Sequence, residues 1–189
     1  MKDVYIVRHG ETSDNREKII QGQADSPLTE DGKASVKERA QILKDVAFDA
    51  VYCSPLGRAM TSLNIIRKEI NITCSIFYIK EIMEINFGEL TKKPIADVIE
   101  TIMKHKQNSA RPYPGGESGD VLTSRVMLFM EDYIFASERQ TFLVVTHYGV
   151  LETMLRHYAR LPHSEIDRNR DKIVKLSFNE KEIKYKWIT

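Results

Sequence analysis

Two arginines and two histidines of this chain stand directly after short apolar runs, where polar side chains can do chemistry rather than fill a core. Val4 to Val7 is continuously apolar and rich in β-branched residues, and it breaks abruptly into Arg8-His9-Gly10-Glu11-Thr12. Thr141-Phe142-Leu143-Val144-Val145-Thr146 breaks in the same way into His147-Tyr148-Gly149, and Ala50-Val51-Tyr52-Cys53-Ser54 is followed by Arg58. Ligands of open α/β sheets bind beyond the carboxyl ends of the strands, so Arg8, His9, Arg58 and His147 are expected on one rim. Two guanidinium forks suit a dianionic group, because each gives paired, charge-assisted hydrogen bonds to phosphate or carboxylate. Asn15 and Gln21 can add neutral donors. A histidine among such donors can be a nucleophile, a base or a metal ligand. The residues alone leave all three open.

The elements that must carry these groups alternate along the chain. After the first strand comes a loop containing Asn15, Gln21, Gly22 and Pro27. Thr29 is placed to cap a helix, with Glu30 and Asp31 in its first turn and an apolar stripe of Val36, Ala40, Leu43 and Ala47. The strand Ala50–Ser54 leads into a helix opened by Pro55, with Ala59, Leu63, Ile66 and Ile70 on one face. Cys74 to Ile79 reads as a third strand and Ile95 to Met103 as a helix. Ser118 caps a helix striped by Leu122, Val126, Phe129 and Tyr133. Thr141–Thr146 is followed by a helix from about Val150 to Tyr158, and Ile173–Phe178 with Ile183–Trp187 reads as a closing hairpin. Strands alternating with helices give an α/β layered domain with a mostly parallel sheet, and no linker divides residues 1–189.

The blocks around these positions resemble those of the histidine phosphatase superfamily, which includes the cofactor-dependent phosphoglycerate mutases. Arg8-His9-Gly10-Glu11-Thr12, with Asn15 and Gln21-Gly22 after it, resembles the superfamily signature. Asp25-Ser26-Pro27-Leu28-Thr29-Glu30-Asp31-Gly32, Ser54-Pro55-Leu56-Gly57-Arg58-Ala59 and Glu84-Ile85-Asn86-Phe87-Gly88 are similar to its "D-x-P-L-T-x-x-G", "S-P-L-x-R-A" and "E-x-x-F-G". Pro114-Gly115-Gly116-Glu117-Ser118 and Val144-Val145-Thr146-His147-Tyr148-Gly149 follow in the family's order. Two stretches depart from the pattern. Met60-Thr61-Ser62-Leu63 replaces "x-Q-T-A", and Glu89-Leu90-Thr91-Lys92 replaces "x-W-E-G".

The resemblance implies a three-layer sandwich, a mostly parallel central sheet flanked by helices, as one phosphoglycerate mutase-like domain. It also implies a division of labour among the residues. His9 is the nucleophile that forms a phosphohistidine, and Arg8, Arg58 and His147 are the cationic donors, His147 serving best when protonated. Asn15, Gln21 and Gly22 complete the phosphate cradle. Glu84 protonates the leaving oxygen and then accepts a proton from water. An unperturbed glutamate has a pKa near ~4.3, so a general acid here needs desolvation to raise it against the pull of the arginines. The expected activity is metal-independent hydrolysis of a small phosphomonoester. The alternative is a cofactor-dependent phosphoglycerate mutase, whose segment between the two glutamate blocks is longer than the 33 positions from Glu84 to Glu117.

Composition narrows the partners. Lysine and arginine total 28 against 27 acidic residues, a net charge of +1, which gives no basis for wholesale binding to nucleic acid or to an anionic membrane. No apolar run approaches the ~18 residues of a membrane span, and Met1 to Arg8 is too short and charged for a signal peptide. Cys53 and Cys74 lack zinc or disulfide spacing and read as buried thiols of a reducing, cytoplasmic setting. No cofactor and no metal are expected, since two arginines beside His9 and His147 oppose a dication. The expected partner is a small phosphorylated metabolite, and a homodimer stays open. His105, between Lys104 and Lys106, reads as part of a solvated helix face, and His157 and His163 as surface or capping residues. From Lys92 to Arg111 five basic residues face two acidic ones, which fits either a second anionic group or a solvated face.

Overall fold

The computed structural model describes residues Met1 to Thr189. Six strands form one sheet in the order β3-β2-β4-β1-β5-β6. They are β1 (Lys2–Arg8), β2 (Ala50–Cys53), β3 (Ser75–Tyr78), β4 (Thr141–Thr146), β5 (Ile173–Phe178) and β6 (Ile183–Ile188). The first four are mutually parallel, while β5 is antiparallel to β1 and β6 to β5. The closing hairpin therefore adds an antiparallel edge to a parallel sheet.

Alternation along the central strands divides the core. Val4, Ile6, Phe142 and Val144 face one layer, whereas Val7, Leu143 and Val145 face the other. The larger layer packs the sheet against α5 (Gly119–Phe129) and α6 (Tyr148–Tyr158) through Leu122, Val126, Phe129, Leu151 and Met154. The smaller packs it against α2 (Glu30–Ile42) and α3 (Gly57–Glu69) through Val36, Ala40, Leu43, Ala59, Leu63 and Ile66. This is the expected three-layer α/β sandwich.

Thr29 and Ser118 cap their helices, accepting from the backbone N–H of Gly32 and Val121. Several local expectations change. The stretch after β1 contains a short helix, α1 (Ser13–Arg16), closed by a capping box between Thr12 and Asn15. The helix expected to open at Pro55 starts at Gly57, and a six-residue π turn, Met130–Phe135, extends α5. α7 (His163–Asn169) lies in a stretch that carries no regular stripe. Cys53 is buried, its thiol pushed up to about 12 by desolvation, but Cys74 is only half-buried. No helix is long and apolar enough to cross a membrane.

His105 overturns its expected setting. It ends α4 (Ile95–Gln107) and is buried, stacked on Tyr113 with ring centroids 4.3 Å apart. Its two ring nitrogens face the carbonyl oxygens of Thr101 and Pro112 at 2.7 and 2.9 Å. The chain doubles back after α4 and lays Tyr113 over the imidazole, a contact that the flanking lysines do not reveal.

The loop leaving β1 is fixed by direct backbone contact with α2. An ideal Cβ on Gly32 would lie 2.2 Å from the carbonyl oxygen of Glu11, and one on Gly10 would lie 2.6 Å from the carbonyl oxygen of Gly32. Backbone on backbone leaves nothing flexible to yield. Gly32→Ala is therefore expected to destabilise the protein by about 1–3 kcal/mol, the usual cost of overpacking. Urea unfolding measures this, with Gly119→Ala as the milder comparison, since its new Cβ would meet Ser109 Cβ at 3.3 Å and ask only a few tenths of an ångström of give. Equal midpoints for the two variants would show that the Gly10–Gly32 contact is not a constraint.

Candidate active site

Strand register brings the chemical groups together. Arg8 pairs with Thr146 across β1 and β4, so His9 and His147 leave adjacent strands side by side, with ring centroids 5.2 Å apart. His9 N–H donates to the carbonyl of Thr146 at 3.0 Å, continuing the ladder one step beyond the strand. On the other side of β4, Cys53 pairs with Val145, which sets Ser54 beside His147. The Ser54 hydroxyl lies 2.7 Å from His147 Nε2. Arg58, in the first turn of α3, reaches over to His9.

His9 is buried and held at both ring nitrogens. Nδ1 lies 2.8 Å from the Gly10 carbonyl, which can only accept, so Nδ1 carries the proton. Nε2 is then the unprotonated nitrogen and accepts from Arg58 Nε at 3.2 Å. Burial, and next the Arg8 and Arg58 guanidiniums, hold the imidazole well below its usual pKa. His9 is a neutral base with its lone pair at Nε2.

His147 is the second imidazole of the site. It is fully buried, and burial followed by Arg58, His9 and Arg8 holds it well below the usual imidazole range. Burial among cationic groups disfavours the imidazolium and holds the ring towards its neutral form.

Arg58 is buried and spreads over the loop before α2. Its Nη1 and Nη2 donate to the carbonyls of Ala24 and Gly22 at 2.8 and 2.6 Å. Gly22 takes a left-handed φ of +53°, which glycine adopts without strain. Arg8 donates from Nη1 to Asp171 at 2.8 Å, and its backbone carbonyl accepts from the buried Arg39 at 2.7 Å. Asn15 spends its side-chain oxygen on the N–H of Thr12, which leaves its amide N–H groups free to donate outward. Glu84 lies in the turn after Ile82, its Oε1 accepting from the N–H of Ile85 at 2.9 Å and of Gly149 at 3.1 Å. An ideal Cβ on Gly149 would sit 2.4 Å from that oxygen, so only glycine lets the carboxylate reach the start of α6.

Buried side-chain nitrogens and oxygens without a partner number three: Arg8 Nε, His147 Nδ1 and Gln21 Oε1. All three belong to residues expected at the site. Unpaired buried polar atoms are costly and need a reason. Arg8 Nε is a donor. The two ends of the Gln21 amide exchange by a half-turn, so it can present either. No group of three or more His, Cys, Asp or Glu side chains is placed to share a metal ion.

Sequence reasoning missed the residues that hold these groups. Ser62 Oγ accepts from the N–H of Gly10 at 3.0 Å and lies in one of the two stretches that depart from the family pattern. Lys92 stands where that pattern has glycine and has a left-handed φ of +64°. Its ammonium pairs with Asp14 and donates to the Asp25 carbonyl at 2.9 Å, so this member of the basic stretch is already neutralised. Glu11 ties down Arg16 and Thr29 and does not meet His9 or Arg58.

The family model for branch 1 of the histidine phosphatase superfamily matches residues 4–188. A protein of Schizosaccharomyces pombe named "probable phosphatase" is 26% identical over 178 residues, covering 93% of this chain and 82% of that protein. A "probable phosphoglycerate mutase" of Escherichia coli is 31% identical over 171 residues, covering 86% and 77%. The crystal structure of the alpha-ribazole phosphatase of Shigella flexneri superposes with a TM-score of 0.82 at 23% identity, covering 98% and 95%. That likeness concerns the fold.

Buried neutral histidines couple stability to pH. The folded chain keeps His9 and His147 unprotonated where the unfolded chain, with pKa near ~6.5, takes up protons. Their stabilising contribution is thus complete above that value and is lost as pH falls through it towards the depressed folded values. The slope is about 1.4 kcal/mol per pH unit for each proton difference. His147→Gln should remove about one proton's worth of that slope in urea unfolding below pH 6.5. An unchanged slope would mean that His147 is already charged in the folded protein.

Proposed function

The chain belongs to branch 1 of the histidine phosphatase superfamily, a superfamily of enzymes, and on that premise we propose that it hydrolyses a small phosphomonoester without a metal ion. The observation that carries this reading is the set of partnerless buried atoms, Arg8 Nε, His147 Nδ1 and Gln21 Oε1, all on residues expected at the site of the buried His9. A phosphoryl group supplies acceptors for both nitrogens.

In this reading His9 Nε2 attacks phosphorus in line, forming the P–N bond as the bond to the substrate's alkoxide oxygen breaks. Arg58 Nε lets go of the lone pair and donates to a phosphoryl oxygen instead, keeping its charge at the same place. Arg8 Nε joins it. The Leu56 N–H donates to Ser54 Oγ, which leaves the Ser54 hydroxyl proton for His147 Nε2. His147 Nδ1 then carries the remaining ring proton and points it at the phosphoryl group. A bound dianion offsets the cost of a second proton on that ring, so the charged form expected for His147 belongs to the complex. Asn15 and Gln21 donate at the edge, and Gly22 shapes the loop under Arg58. These donors stabilise charge as it develops on the equatorial oxygens.

Glu84 gives its proton to the departing oxygen. In the second step it takes a proton from water as that oxygen attacks the phosphohistidine, which restores His9 and releases phosphate. The N–H groups of Ile85 and Gly149 steady the carboxylate in both states. Hydrolysis is favoured over transfer between two positions of one substrate because the 33-position span before Glu117 is short and Lys92 is paired internally. Phosphoglycerate mutase is the second reading, kept by the name of the relative at 31% identity. The chain is proposed to act as one domain over residues 1–189.

A panel of phosphorylated metabolites that includes 3-phosphoglycerate, assayed after exhaustive chelation, should show phosphate release at the full rate. Rapid acid-free quenching should trap an alkali-stable, acid-labile phosphoryl group on the wild-type chain. His9→Ala should trap none and slow turnover by at least about 10³-fold, as loss of a nucleophile does. Restoration of lost activity by a divalent cation, or a normal rate in His9→Ala, would exclude this chemistry.

A further inference from the structure

We propose that Arg125, locked to Glu117, is the positioning residue for Glu84, fixing the main chain from which the proposed proton donor projects. The proposal rests on the reading of Glu84 as the acid. Glu84 stands in an irregular segment between the 3₁₀ turns Lys80–Ile82 and Gly88–Leu90, where no strand ladder or long helix holds the backbone. Arg125 supplies the missing partners. Its Nη1 donates to the carbonyls of Glu81 and Met83, both at 2.7 Å, and its Nη2 donates to the carbonyl of Glu84 at 3.1 Å. The two remaining N–H groups take the Glu117 carboxylate, Nη2 to Oε1 at 2.6 Å and Nε to Oε2 at 3.1 Å.

All five guanidinium donors are used. Three of them hold consecutive or near-consecutive carbonyls of the segment that carries Glu84. Glu117 grips the same segment from its other end, accepting the Asn86 N–H at 2.8 Å while its own N–H donates to the Asn86 carbonyl at 2.9 Å. Gln23, from the loop under Arg58, adds a second donor to the Glu84 carbonyl at 3.0 Å. The grip comes from a rigid base, since Arg125 lies on α5, whose Leu122, Val126 and Phe129 are in the core.

This pattern differs from a simple charge pair with the acid. Arg125 makes no hydrogen bond to the Glu84 carboxylate and acts through its main chain. A guanidinium can serve five acceptors in a plane, whereas a lysine offers three donors from one point. Arg125→Lys therefore keeps the charge and most of the salt bridge, but it releases part of the Glu84 segment. Glu117→Gln loosens the same clamp more gently and keeps an acceptor for the Asn86 N–H.

The test compares phosphorylation of His9 by an alkyl phosphate and by an activated aryl phosphate in single-turnover experiments. The variants are Arg125→Lys, Glu117→Gln, Glu84→Gln and each clamp variant combined with Glu84→Gln. A misplaced acid should slow the alkyl phosphate by on the order of 10–10²-fold in the clamp variants, the scale of a misplacement near 1 Å. The aryl phosphate, whose leaving group needs little protonation, should change by no more than about threefold. In the Glu84→Gln background the clamp variants should add no further leaving-group dependence. Equal losses for both substrates, or a further alkyl-specific loss without Glu84, would overturn the positioning role. If Glu84→Gln itself treats the two leaving groups alike, the acid assignment fails and the proposal fails with it. If Glu84→Gln discriminates and both clamp variants do not, the positioning role alone is wrong. Should Arg125→Lys not fold, Glu117→Gln decides by the same criteria.

Discussion

The site depends on one hydrogen-bonding arrangement at His9. The Gly10 carbonyl fixes the proton on Nδ1, Arg58 Nε addresses the lone pair on Nε2, and burial among guanidinium groups keeps the ring neutral. A charged His9 has no lone pair at Nε2, and the opposite tautomer turns a proton towards Arg58. Both alternatives set donor against donor in a dry place, where an unsatisfied polar group costs the most. The arginines thus do two things in the proposed reaction. They supply charge for an incoming dianion, and they hold the nucleophile in its reactive state before one arrives.

The sandwich exists to hold that arrangement in place. Parallel pairing of β1 with β4, and of β4 with β2, lines up His9, His147 and Ser54 at adjacent strand ends without help from a loop. The loop after β1 is pinned from below by the Gly10–Gly32 backbone contact and from the side by Ser62. Arg58 then ties this frame to the carbonyls of Gly22 and Ala24. Glu84 comes from an irregular segment, and there side chains replace ladder hydrogen bonds in fixing the backbone. The atoms left unpaired on Arg8, His147 and Gln21 are the ones that the proposed phosphoryl group would engage.

Much of this was legible in the sequence because strand ends and helix caps are local signals. The apolar runs ending at Arg8 and His147 marked the rim, and Thr29 and Ser118 marked helix starts. What escaped were relations set by tertiary packing. His105 has lysines on either side, and its burial is decided by Tyr113 after the chain has turned back. Arg39 and Arg125 look like ordinary cations of amphipathic helices, since nothing nearby in sequence shows the distant carbonyls they serve. The depth at which His147 lies escaped for a related reason. Its residue type and its place at a strand end were visible, but the completeness of its burial was not. Lys92, where the family pattern has glycine, takes a left-handed φ that its residue type does not signal.

The central claim is the protonation state of His9, and nitrogen NMR reads it directly. With the imidazoles labelled and His9 assigned by comparison with His9→Ala, a neutral ring protonated at Nδ1 gives a protonated, pyrrole-type shift at Nδ1. Its Nε2 gives an unprotonated, pyridine-type shift. The account predicts this pattern in the unliganded protein at pH 7 and its persistence well below pH ~6.5, where an exposed histidine titrates. A protonated-type shift at Nε2, or titration of His9 near the ordinary imidazole value, would contradict it.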